Sequence, residues 1–456
     1  MYKTVFAIMI IFFSIIISVA NSDNVTRDIF SVKVGTNNID LLSNGYILYQ
    51  PEYSKITYLI NKAGQVVHQW RSNYSQSLSA YLLENGSIIR SCYGGLLTLF
   101  WGGGFTGRVE MLDWDSNLIW EFEYVNLKHC LHNDIEPLPN GNILMIVWER
   151  ISRNEAITAG CNPNFISIGG FQTDYIIEVE PTYPKGGKIV WEWHVMDHLI
   201  QDIDSTKNNY GIVADHPELV NINYRDIKRY GFGYATKTDF THLNSINYIE
   251  EFDQLLLSFR SLNEIWIIDH STTTEEAANH TGGDYGKGGD ILYRWGNPEV
   301  YDTGDESNQK LYAQHDPRWI IKENTSEYHI TIFNNGISRP GIDYSSVEEI
   351  IPPVDENGNY NLEPGSAYGP EEILWSYGIN ERYYYSSVLC SAQRLPNGNT
   401  LINNGLYGTF FEVTPEKELI WRYYNKYPCP IPIINAVFKL QWYPNDYSGL
   451  NNLDKK

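Results

Sequence analysis

The chain has 456 residues, 43% hydrophobic and 14% aromatic, enough to bury a large core in one or two domains. Its 55 acidic residues outnumber 33 basic ones, and the formal charge of −22 excludes nucleic acid and anionic membrane surfaces as partners. An anionic small molecule could be held only where cationic donors are concentrated locally.

The chain opens MYKTVFAIMIIFFSIIISVANS, with Lys3, an apolar run over residues 5–17, and the small residues Ser18-Val19-Ala20 where a signal peptidase cuts. This predicts a signal peptide over 1–20 and a mature, exported chain over 21–456. The run is short for a bilayer span, which takes about 20 apolar residues; a single N-terminal membrane anchor is the alternative. Sequons at Asn24, Asn73, Asn85, Asn279 and Asn324 would be surface acceptors in a secreted protein. The five cysteines, Cys92, Cys130, Cys161, Cys390 and Cys429, are too scattered for a disulfide scaffold and have no metal-ligand spacing.

A unit then recurs: a strand, an Asn-Gly turn, further strands and a closing Trp. It appears around Asn44-Gly45 with Trp70, Asn85-Gly86 with Trp120, Asn140-Gly141 with Trp191 and Trp193, and Asn397-Gly398 with Trp421. Two further units end at Trp295 and Trp375, lengthened by polar stretches over 271–289 and 336–368. Six four-stranded units predict an all-β fold, a six-bladed β-propeller closed into a ring, with polar loop insertions in blades four and five. The alternating segment Val437-Phe438-Lys439-Leu440-Gln441-Trp442 is placed to pair with the first blade and fasten the ring.

The polar residues of interest stand at the starts of these units. His132 lies in Leu131-His132-Asn133-Asp134, His242 in Thr241-His242-Leu243-Asn244, and His315 in Gln314-His315-Asp316. Equivalent placement in successive blades is what a shared axial site requires; polar first strands that simply hold histidines are the other reading. The turn-like Glu250-Glu251-Phe252-Asp253-Gln254 makes 239–269 a hairpin, which would bring Arg260 back beside His242 and Asn244. Alternation along an extended segment puts His242 and Asn244 on one face. Imidazole, amide and guanidinium donors together form an oxyanion pocket, or equally a buried structural network. The other histidines, His198 and His280 among them, receive no role, and no metal cluster or phosphate loop is visible, so no metal or cofactor is expected.

These residues resemble the bacterial-type arylsulfotransferases that work without a nucleotide sulfate donor. The resemblance rests on His132 through Asn142, Asp239-Phe240-Thr241-His242-Leu243-Asn244, Ser258-Phe259-Arg260, Gly296-Asn297-Pro298, Gln314-His315-Asp316, Phe333-Asn334-Asn335-Gly336 and Gln393 through Asn399, and spans nearly all of the mature chain. It implies a six-bladed propeller that moves a sulfuryl group from an aryl sulfate to a phenol through a sulfated histidine. By motif, His315 is then the nucleophile, while His132, His242, Asn244 and Arg260 hold the sulfuryl oxygens. Family members often carry His-His-Asp where this chain has His132-Asn133-Asp134. A quinoprotein dehydrogenase would need calcium-binding carboxylates that cannot be assembled here; a non-catalytic propeller that binds glycan or protein is the stronger rival.

Overall fold

The computed structural model describes residues 33–34, 41–95, 100, 102–226, 238–321, 327–378, 385–427 and 435–453. The leader, Asn24, Asn324, Cys429 and the 323–326 turn lie outside them. Six antiparallel sheets are arranged as a six-bladed β-propeller, as the repeat predicts, and only two short helices, Arg153–Thr158 and Thr274–Ala277, occur among the described residues.

Each blade runs from an inner strand beside the axis to an outer one. The inner strands are Gln76–Leu82, His129–Pro137, Leu243–Ile249, His315–Ile321 and Ser391–Arg394 for blades two to six. For blade one the inner strand is the late segment Val437–Tyr443, which pairs with Tyr46–Pro51 and fastens the ring. A second fastening comes from Lys33–Val34, added as a fifth strand on the outer edge of blade six.

The Asn-Gly turns work differently from a two-residue hairpin in which both residues take positive φ. Only the glycine does so, at +85° in Gly86 and +87° in Gly141 and Gly398. Its N–H closes a four-residue turn onto the carbonyl of Leu83, Leu138 or Leu395, the wider hairpin with a left-handed glycine at its end. Asn44-Gly45 is not a hairpin. It leads into Tyr46–Pro51, and a Cβ at Gly45 would lie 2.4 Å from the carbonyl oxygen of Tyr443 on the closing strand.

The closing tryptophans all fall on outer strands, and five of them are mortised into the next blade. Trp120 donates to the Gly186 carbonyl, Trp193 to Gly289, Trp295 to Pro370, Trp375 to Pro415 and Trp421 to Lys62, at 2.7–2.8 Å. Trp70 alone differs: its indole N–H has no hydrogen-bond partner among the described residues and the ring stands edge-on to Trp114.

Of the two predicted insertions, 271–289 falls between the third and fourth strands of blade four. The stretch 336–368 is not a single insertion, because Ser346–Ile350 within it is the third strand of blade five. The polar look of Ser345-Ser346-Val347-Glu348-Glu349 hid that strand. Its glutamates are buried against partners: Glu348 takes Arg339 and Asn334, and Glu349 takes Arg394 and His329.

Below the inner-strand starts the axis is filled by charge. The Lys439 ammonium on the closing strand meets Asp134 at 2.8 Å and Asp316 at 3.0 Å, and Arg318 meets Asp316 at 2.8 Å. Burial alone would lower the Lys439 pKa, but Asp134 and Asp316 outweigh it and the net shift is upward. Three blades are thereby tied at the centre. Cys92, Cys130, Cys161 and Cys390 are buried free thiols, and Asn73, Asn85 and Asn279 are exposed.

Candidate active site

The inner strands do not begin as regular ladders. Register shifts interrupt blade three around His132–Asp134, blade four at Asn244 and blade five after His315, and Asn133, His242 and Asp316 all take φ of +52°. Left-handed backbone at non-glycine residues is uncommon and tends to mark functional sites. Here it turns side chains out of the pleat at one end of the axis. It also breaks the alternation expected of His242 and Asn244, and the two take different partners.

His315 is buried at the first position of its strand. Its Nδ1 lies 2.6 Å from Asn335 Oδ1 and 3.1 Å from the Ala313 carbonyl. The Asn335 amide nitrogen donates to the carbonyls of Ser386 and Leu389, which leaves its oxygen facing the imidazole. Both neighbours of Nδ1 are acceptors, so Nδ1 carries the proton and Nε2 the lone pair. Burial, then Arg260 and His242, lower its pKa to about 3, so the ring is neutral at ordinary pH.

Arg260 follows strand Gln254–Phe259 directly, and its backbone N–H donates to the His242 carbonyl at 3.0 Å. The hairpin therefore brings the guanidinium and His242 to one place, and both act electrostatically on His315. The His242 Nδ1 lies 2.6 Å from Asp239 Oδ2, leaving Nε2 as its outward atom.

His132 and Asn244 sit deeper than the resemblance implies for residues that hold sulfuryl oxygens. His132 is fully buried; its Nε2 bonds Asp174 at 2.6 Å and its Nδ1 accepts from the Asn133 amide at 2.9 Å. With both ring nitrogens bonded inside the protein, His132 offers no nitrogen to a ligand in this arrangement. Its ring stacks on Trp148 at 4.0 Å and meets His242 edge-on at 6.1 Å. Burial, then His242, holds its pKa well below the usual imidazole range. Asp174 is pushed up to about 8 by burial and then Asp239, although the Thr241 hydroxyl and the Leu243 N–H oppose the rise. Asn244 spends its amide on the Gln314 carbonyl at 2.7 Å, bracing the residue before His315.

Asn335, Asp239 and Asp174, which orient these rings, were given no role by sequence reasoning. Asn335 lay within a quoted motif and Asp239 three residues before His242. Asp174 stood in the strand Phe171–Pro181 among other polar residues, Gln172, Thr173, Glu178 and Glu180, and carried no signal of its own. A glycine loop covers the cluster: a Cβ at Gly104 would fall 2.0 Å from Asn133 Oδ1, so only glycine passes there.

At one end of the propeller axis, two oriented imidazoles therefore stand beside a guanidinium. The chain belongs to the arylsulfotransferase (ASST) family, whose model matches residues 42–426. No curated protein matches the sequence. Among solved structures, the chain is similar to a protein of unknown function from Bacteroides caccae, at 12% identity and TM-score 0.42, covering 87% of this chain and 98% of that one. It is similar also to a putative 6-phosphogluconolactonase from Bacteroides fragilis, at 9% identity and TM-score 0.39, covering 88% and 98%. A periplasmic gluconolactonase of Pseudomonas aeruginosa stands at 9% identity and TM-score 0.39, covering 88% and 99%. Similarities this low say nothing of the chemistry.

Proposed function

We propose that the protein is an aryl-sulfate sulfotransferase that works by two displacements through a sulfated His315. The observation that carries this reading is the His315 ring itself: neutral, with its Nδ1 proton committed to Asn335 and Ala313 and its Nε2 lone pair left for attack. Family membership supports arylsulfotransferase activity in general.

In the first displacement Nε2 attacks the sulfur of the aryl sulfate. The N–S bond forms as the S–O bond to the aryl group breaks, and the departing aryl oxygen keeps the bonding pair. His242, steadied by Asp239, hands over the proton that makes it a phenol. Sulfation leaves positive charge on the His315 ring, and the two acceptors at Nδ1–H are placed to stabilise it. In the second displacement the acceptor phenol gives its proton to His242 and attacks sulfur, while the N–S pair returns to Nε2. Sulfuryl transfer resembles phosphoryl transfer in asking mainly for position and for charge on the equatorial oxygens. Arg260 supplies that charge, which answers the objection from a net charge of −22. Asn244 and His132 act at one remove, Asn244 through Gln314 and His132 through its contact with His242. The reaction takes place outside the cytoplasm after loss of residues 1–20, and N-terminal sequencing of exported protein should begin near Asn21.

Donor alone, without acceptor, should release about one equivalent of phenol per site as a burst, because the first displacement needs no second substrate. Mass spectrometry of quenched protein should then place a sulfuryl adduct on the peptide spanning 314–318. Turnover with no adduct there, or with no phenol released until an acceptor is present, would leave direct transfer between the two substrates.

A further inference from the structure

A second cluster of ring nitrogens and carboxylate lies at the rim between blades three and four. His198 follows the short turn Val195–Asp197 at the end of the outer strand Gly187–His194. His280 lies in the 271–289 insertion just beyond helix Thr274–Ala277, and Asp290 closes that insertion. The ligand atoms of the three lie within 4.8 Å of one another.

Both rings converge on one carboxylate oxygen. His198 Nε2 lies 2.8 Å from the Ala277 carbonyl, which can only accept, so Nε2 carries the ring proton. Its Nδ1 then presents a lone pair 2.8 Å from Asp290 Oδ1. His280 Nδ1 approaches the same oxygen at 2.7 Å. His198 is fully buried, while His280 is exposed and gives access from solvent. Two ring nitrogens and a carboxylate gathered this closely, the one such group among the described residues, are the donor set that a bound cation takes. A ring whose second nitrogen donates to a backbone carbonyl is also how metal-bound histidines are held.

The surroundings are built to keep this geometry. Trp193 lies parallel to the His198 ring, with centroids 5.6 Å apart, and its indole donates to the Gly289 carbonyl. A Cβ at Gly289 would stand 2.1 Å from the Ala277 oxygen and 2.7 Å from His198 Nε2, so only glycine admits this approach.

We propose that His198, His280 and Asp290 bind one divalent first-row transition ion of the zinc type, which clamps the 271–289 insertion to blade three. Two imidazole nitrogens and one carboxylate suit such an ion rather than calcium or magnesium, which take all-oxygen shells. The open side at His280 leaves a position for water. The role is structural, and the axial residues have no part in it. Sequence spacing hides the set, since His198 stands 92 positions from Asp290 while His280 stands 10 away.

The full-length protein, stripped with chelator and dialysed, should take up one equivalent of Co²⁺ with visible absorption bands that Zn²⁺ displaces. Zn²⁺ should raise the melting temperature by a few degrees, as expected of an ion that binds the folded state alone, and should protect 271–289 from protease. His280→Ala removes an exposed side chain and should fold; it should lose the bands, the melting shift and the protection together. His216→Ala, at another exposed histidine, should keep all three. Absence of Co²⁺ bands in the wild type, or bands that survive His280→Ala, would overturn the proposal. Transferase turnover should be the same with and without Zn²⁺, so this result and that of the donor burst are independent.

Discussion

At the rim, five outer-strand tryptophans meet one problem with one answer: each sends its indole N–H across to a backbone carbonyl of the next blade. At the axis, the inner strands of blades three, four and five share a register shift and a left-handed residue, yet their histidines take different partners. Blade three buries His132 against Asp174, blade four sets His242 against Asp239, and blade five presents His315 braced by Asn335. The contrast shows how a repeated scaffold hosts a site whose partners do not repeat. Identical joints at the periphery hold the blades at fixed angles, so the centre is free to differ blade by blade. Packing there can be broken by bulges without loosening the ring.

Substitutions at the two places should therefore fall into separate classes. The largest effect belongs to His315→Ala, which should remove both the phenol burst and turnover, a loss on the order of 10⁶-fold for a nucleophile, with little change in melting temperature. An active, unsulfated variant would end the division of labour proposed here. Arg260→Ala should cost about 10²–10³ in turnover. Arg260→Lys should recover only part of it, since a point charge does not reproduce a planar two-pronged donor; full recovery would show that charge alone matters.

Asn335→Ala should reduce the rate of adduct formation by about 10–100-fold, the range seen for partners that only orient a reacting group. With the wild type, the burst rate should hold as pH falls from 7 to roughly 5, because the His315 pKa of about 3 keeps its Nε2 unprotonated. A burst that fades with a midpoint near 6.5 would show an ordinary imidazole instead. The sign for stability is opposite to that of a salt-bridged histidine. The unfolded chain takes up a proton that the folded ring refuses, so His315 makes stability fall as pH drops from 6.5 toward 3.

The smallest effect is at the rim, and it tests the joints directly. Trp120→Phe and Trp70→Phe each shrink a fully buried ring, but only the first also deletes a bond to the neighbouring blade. Trp120→Phe should be the more destabilising by about 1 kcal/mol, read from denaturant midpoints, with activity intact in both. Equal losses would mean that the indole donors contribute nothing to blade spacing.

The rim was legible in the sequence because it repeats. Asn-Gly turns and closing tryptophans recur, and the closing strand shows a period of two, so six blades and their fastening could be read directly. The axis was legible only in part. His132, His242 and His315 stand out as polar residues at equivalent points, but how each ring is held depends on Asp174, Asp239 and Asn335. Two of these come from other strands or blades, brought in by folding. The positive φ at Asn133, His242 and Asp316 left no mark that glycine would have left. Ser346–Ile350 was missed because its acids are neutralised by partners distant in sequence, and the rim cluster of His198, His280 and Asp290 was hidden for the same reason.

The innermost strand of the first blade is made from Val437–Tyr443, which leave the ribosome only after every other strand of the six blades. Every residue of the axial pocket has been synthesised by then, yet Asp134 and Asp316 still lack the Lys439 ammonium that joins them, and Asp316 is the immediate neighbour of His315. Closing the ring and completing the floor of the pocket are one event. A polypeptide cut short before residue 437 would carry the whole set of axial residues in its sequence and no Lys439 to join Asp134 to Asp316, so activity itself reports that the ring has closed.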